Sequence, residues 1–194
     1  MLVLYADIAA NIFLLQMILS AQRHLMTELA AFQLIEALRE NDGTYPNDIY
    51  YVFTVQEEVG CRGSKTTAAF IKPDIGIAVD VTPAHDYPCD LTGSNAIGEG
   101  IGIKVADPSV LCDEDVIAVM EQCCRHKDIP FQYEVIDKGG CDASSMNLSN
   151  FGVRAGGISV VTRYAHCCSS VISKEDAESG IRLCTAFSKY EFQF

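Results

Sequence analysis

Between residues 25 and 39 the apolar side chains Leu29, Phe32, Ile35, Ala37 and Leu38 recur at nearly helical spacing, which predicts an amphipathic helix. Asn41-Asp42-Gly43 stops it, and Tyr45-Pro46-Asn47-Asp48 makes a turn. The period then changes. Residues 49–55 form a β-branched and aromatic run and read as a buried strand. A turn at Gly60 and Gly63 leads into a short helix ending near Ile71, and 75–81 read as a second buried strand. Beyond a loop rich in Pro, Asp and Gly, residues 101–105 and 131–136 read as strands and 157–161 as a further buried one. The helices expected between and after them are 113–127, capped by Asp113, a short one capped by Asp142, and a last one opened by a Ser173–Asp176 capping box. Strands alternating with helices predict an α/β fold of three layers, a mixed sheet flanked by helices.

Residues 1–20 fit neither of two templates. They lack the basic start and small-residue cleavage site of a signal peptide, and Asp7, Asn11 and Gln16 interrupt what a membrane span of about 20 apolar residues requires. Composition narrows the partners. A net charge of -12 and a pI near 4.6 argue against nucleic acid and anionic membranes. The 194 residues are 49% hydrophobic, enough for a sizeable core, so disorder is not expected. The nine cysteines include the adjacent pairs Cys123-Cys124 and Cys167-Cys168 and no CxxC spacing. Reduced thiols in a cytoplasmic protein fit this better than a disulfide framework or a four-cysteine zinc site.

Three places hold polar residues where the surrounding pattern calls for apolar ones: Gln56-Glu57-Glu58 at the end of a buried strand, Asp80 inside Ile77-Ala78-Val79-Asp80-Val81, and His166 just past the last strand. A charge at a buried strand end costs several kcal/mol unless a partner or a metal compensates it. Strand ends are also where α/β sheets bind ligands. Together the three read as a metal site of oxygen and nitrogen donors. Taken singly, each has a plainer reading: a solvated turn, an ion-pair partner and a satisfied core histidine. His24, His85 and His126 take the plain reading. So does Gly98-Glu99-Gly100-Ile101-Gly102, which precedes a strand rather than joining a strand to a helix as a nucleotide loop does.

In combination these residues resemble a known family, the glutamyl and deblocking aminopeptidases that build tetrahedral particles and are sometimes labelled endoglucanases. The matching stretches are Thr54-Val55-Gln56-Glu57-Glu58-Val59-Gly60 with Arg62-Gly63, Lys72-Pro73-Asp74, and Ala78-Val79-Asp80-Val81-Thr82. Gly98-Glu99-Gly100, Gly139-Gly140-Cys141-Asp142-Ala143 and Thr162-Arg163-Tyr164-Ala165-His166 follow in order. The resemblance runs from about residue 32 to the end. It implies a cytoplasmic, oligomeric enzyme that removes N-terminal residues from peptides with two divalent ions, zinc or cobalt. Glu57 would be the general base, Glu58 and His166 would bind one metal, and Asp80 would bind the other. Asp142 and Arg163 would belong to substrate-side loops.

The chain also departs from that family. An early ligand histidine, an inserted dimerisation domain and a stretch resembling Asp-Asp-Arg-Ala-Gly are expected and not found; His24-Leu25-Met26-Thr27-Glu28-Leu29-Ala30 stands at the last place. Without the bridging aspartate of that stretch, one metal or none is expected here. Codons can be chosen for Gln22 to Ala31 that encode the missing stretch in a shifted frame. Residues 1–31 are therefore expected to be out of frame, with the family frame resuming near Phe32 and 32–194 forming an incomplete catalytic domain. Residues 1–20 are accordingly expected not to complete the core as a paired strand or helix. The rival readings are an inactive fragment of the same family and, ranked low, a glycosidase. The latter needs two carboxylates facing each other across a sugar, which neighbouring glutamates do not supply.

Overall fold

The structure is a computed structural model, and it describes residues 2–7, 25–90, 92–167 and 169–192. The elements are β1 (Leu2–Asp7), α1 (Leu25–Arg39), β2 (Ile49–Thr54), α2 (Arg62–Ile71), β3 (Ile75–Pro83), β4 (Ile101–Asp107) and β5 (Val110–Leu111). They continue with α3 (Glu114–His126), β6 (Phe131–Val135), α4 (Asp142–Asn147), β7 (Arg154–Arg163), β8 (Val171–Ile172) and α5 (Lys174–Ser188). Among the described residues one mixed sheet runs β2-β1-β3-β7-β4-β5, with β6 on β4 and β8 on β7. β2, β1, β3 and β7 are parallel, β4 is antiparallel to β7, and β6 is parallel to β4.

Each face of the sheet buries its own core. On one face Ile75, Ile77, Val79, Ile103, Ile158 and Val160 meet Leu34 of α1, Met120 of α3 and Phe187 of α5. On the other, Ala78 and Ala155 meet Ala68 of α2 and Met146 of α4. Full burial of a Leu, Ile, Met or Phe stabilises the fold by about 1.5–3 kcal/mol each. The second face is lined by smaller side chains, and the polar residues of the candidate site lie on that side.

Three expectations need correction. Leu2–Asp7 is a strand, paired in register with both β2 and β3, so this part of residues 1–20 does complete the sheet. Its unbroken apolar run Leu2-Val3-Leu4-Tyr5-Ala6 is what a strand with neighbours on both sides requires. Residues 1 and 8–24, His24 among them, lie outside the described residues, as does Cys168. Asp142 is not a cap, because the position before α4 is Cys141 and the Asp142 carboxylate is engaged elsewhere. The Ser173 hydroxyl does accept from the Asp176 N–H at 3.2 Å, but the Asp176 carboxylate takes the Gly98 and Gly100 N–H groups instead of closing a capping box. Asp113 caps α3 as expected, accepting from Asp115 and Val116 N–H.

Among the described residues the eight cysteines form no disulfide, and no described helix is long and apolar enough to cross a membrane.

Candidate metal and catalytic site

β2, β3 and β7 are parallel, so their C-terminal ends share one edge of the sheet. A cleft of about 830 Å³ opens there, and Glu57, Glu58, Asp80 and His166 all line it. Their local structure differs. After β2 the chain reverses through Gln56 at φ 62, with Gly60 and Cys61 N–H groups both donating to the Glu57 carbonyl at 2.9 Å. The turn then lies so close to β2 that a Cβ on Gly63 would come within 2.6 Å of Val55 backbone atoms, which explains the glycine.

This reversal sends the two adjacent glutamates apart. Glu58 Oε1 lies 3.7 Å from His166 Nδ1, and both side chains are more than half exposed. Glu57 faces inward, where its Oε1 accepts from Cys61 Sγ at 3.6 Å. Asp80 is partly buried between the floor of the cleft and its rim, and its Oδ1 accepts from the Val81 N–H at 2.7 Å. Burial, and then the neighbouring Glu57, push its carboxyl well above the usual carboxylate range. A divalent ion offsets that kind of penalty, so the donor chemistry fits a metal.

The structure also engages Asp142 and Arg163, the two residues expected on substrate-side loops. Asp142 is buried, accepting from Thr54 Oγ1 at 2.7 Å and from Ser64 Oγ. Burial raises its carboxyl, and the Ser64 and Thr54 hydroxyls partly restore the charged form. Arg163 forks onto Asp86, with Nε to Oδ1 at 2.9 Å and Nη2 to Oδ2 at 2.8 Å.

Two features were missed in the sequence. The first is Cys61. Among the described residues Glu57, Cys61 and Asp142 form a donor group whose ligand atoms lie within 4.8 Å of one another, whereas Glu58, Asp80 and His166 form no group that tight. Burial and then the two carboxylates push the Cys61 thiol up to about 12, so it is inert as a nucleophile. The second is Lys104, which lines the cleft floor at 3% exposure between buried Glu134 and Asp107. Burial pulls its ammonium down, but Glu134 leads the groups that more than offset this, so it is held above its ordinary value. Its stem crosses β7 at Gly157, where a Cβ would meet Lys104 at 2.9 Å. The signal was present in the sequence, as lone charges interrupting Ile103-Lys104-Val105 and Tyr133-Glu134-Val135.

Comparison with known proteins identifies a family. A family model described as M42 glutamyl aminopeptidase matches residues 21–183, a span that begins ahead of Phe32. A curated protein of Acetivibrio thermocellus, provisionally named an aminopeptidase, is 42% identical over 77% of this chain and 45% of its own length. The solved structure of an aminopeptidase from the archaeon Desulfurococcus kamchatkensis superposes with a TM-score of 0.82 at 33% identity, covering 87% of this chain and 48% of that one. The TET1 peptidase of Pyrococcus horikoshii, which can assemble into a tetrahedron or a large octahedral shell, gives 0.75 at 27% identity over 88% and 51%. The chain thus spans about half the length of the relatives it matches.

Proposed function

From the premise that this chain belongs to the M42 glutamyl aminopeptidase family, we propose that its cleft serves metal-dependent removal of N-terminal residues from peptides. The observation that carries this reading is the meeting, in one cleft, of Glu57, Glu58, Asp80 and His166 from three separate strand ends. Glu58 and His166 would hold one divalent ion, zinc or cobalt, and Asp80 would offer a carboxylate to a second. Such an ion supplies Lewis-acid polarisation of the peptide carbonyl and a water of lowered pKa.

The chain's own residues do the rest. Glu57 faces the cleft interior beside Asp80 and takes the proton of the attacking water, then gives it to the leaving amine. Asp142 holds the α2–α4 wall of the cleft in place through Thr54 and Ser64. Lys104 keeps a positive charge on the floor, opposite the carboxylates. Peptides are the proposed substrates and a homo-oligomer of the family kind is the proposed assembly.

The test is hydrolysis of N-terminal amino-acid anilides with added zinc or cobalt. Slow release is expected, abolished by a chelator and by Glu57→Gln, with metal binding nearly intact in that variant. Release that persists in Glu57→Gln or without metal contradicts the proposal. A chain that binds metal and releases nothing is the inactive fragment.

A further inference from the structure

Of the facing pair Glu58 and His166, His166 has the more exposed side chain. It lies three residues beyond β7, its side chain is 65% exposed, and its φ is 60; Tyr164, two residues earlier, has φ 61. Residues other than glycine enter this left-handed region against steric cost, so a turn with two of them needs outside support. Inside the turn, Cys167 N–H and Ser170 Oγ–H both donate to the Tyr164 carbonyl, at 3.1 and 3.2 Å.

The outside support comes from the loop after β3. Asp86 takes both prongs of the Arg163 guanidinium and also accepts from the Ile97 N–H at 3.1 Å. The Tyr164 N–H donates to the Tyr87 hydroxyl at 3.3 Å, and the two tyrosine rings meet edge to face at 5.1 Å. A forked Arg–carboxylate pair fixes orientation as well as distance. As a partly exposed ion pair it would add little to global stability. Its effect is local, at the residue that leads into the His166 turn.

We propose that Asp86, together with Tyr87, is a positioning residue that acts through Arg163 and Tyr164 to hold the His166 imidazole facing Glu58. This rests on the reading of His166 as a metal ligand. The clamp sets where the imidazole is presented. Partners that orient a ligand in this way change metal affinity by about 10–100-fold when removed.

The experiment uses the full chain with Co²⁺ as the probe and amide exchange as a second readout. Asp86→Asn and Arg163→Lys, which lose the fork, are each expected to weaken Co²⁺ binding about 10–100-fold, and Asp86→Glu to restore most of it. In a His166→Ala background, Asp86→Asn should cost nothing further. In the metal-free chain, Asp86→Asn should speed amide exchange at residues 164–167 while β3 and β7 stay protected. Unchanged exchange in that turn overturns the clamp. An equal loss of Co²⁺ affinity in both His166 backgrounds overturns action through His166 and leaves a merely structural pair. A wild-type chain that binds no Co²⁺ sinks the ligand reading beneath the proposal, while the exchange comparison still decides whether Asp86 holds the turn.

Discussion

The floor and the rim of the cleft hold their polar groups in opposite ways. On the floor, Lys104, Glu134, Asp107 and Asp142 are buried and bound to one another or to hydroxyls of Ser64 and Thr54. On the rim, Glu58 and His166 face each other at 3.7 Å, largely in water, on turns with left-handed residues. Removing a partner on the floor strands a buried charge. Removing one on the rim strands nothing. The floor is therefore part of the folded core, whereas the rim is free to serve a ligand, and variants should divide stability from binding along that line.

The largest effect is expected at Lys104. Lys104→Met leaves Glu134 and Asp107 buried without their cation, and should lower unfolding stability by about 3–5 kcal/mol, read from the urea midpoint. A loss below about 1 kcal/mol would place this pair with the surface ion pairs and erase the contrast. Ser64→Ala should come next, since it removes one of the donors that keep buried Asp142 satisfied. A loss of about 1–3 kcal/mol is expected, and Thr54→Val should behave alike.

Asp80 stands between floor and rim, and pH exposes it. Its folded carboxyl titrates well above the ordinary value of 3.8, so the native state binds that proton more tightly than the unfolded chain. The corresponding stability is present below 3.8 and is lost as pH rises through the raised folded value. In the metal-free chain, Asp80→Asn should thus stabilise by about 1–3 kcal/mol near neutrality, and the gain should vanish below that ordinary value. A gain that persists in acid would show that the charge on Asp80 is not what costs. The smallest stability effect belongs to the rim: His166→Ala should change unfolding stability by no more than about 0.5 kcal/mol, even as it removes a proposed metal ligand.

What could be read in the sequence follows the same division. Glu57, Glu58, Asp80 and His166 stood out because each interrupts or ends an apolar run, a signal that survives without knowing the neighbours. Lys104 and Glu134 gave the same signal, but a lone charge in a short strand also fits simple alternation with a solvent-facing side. Only the β4–β6 register, which sets Lys104 opposite Glu134, shows that the two charges neutralise each other. Asp142 looked like a helix cap, because the hydroxyls that claim its carboxylate come from Thr54 and Ser64, 88 and 78 residues away in the chain. β1 was unreadable for a related reason. An apolar run declares a central strand only once β2 and β3 are known to flank it. The α/β alternation itself was legible because helix and strand periods differ within ten residues.

The central claim is that the rim is a metal site. The direct measurement is the divalent metal content of the folded chain after equilibrium dialysis against zinc or cobalt, compared with the Glu58→Ala/His166→Ala double variant. The account predicts about one ion per chain in the wild type, lost in a variant that stays as stable as the parent. A wild-type chain that retains no metal, or a double variant that retains it undiminished, would contradict the account.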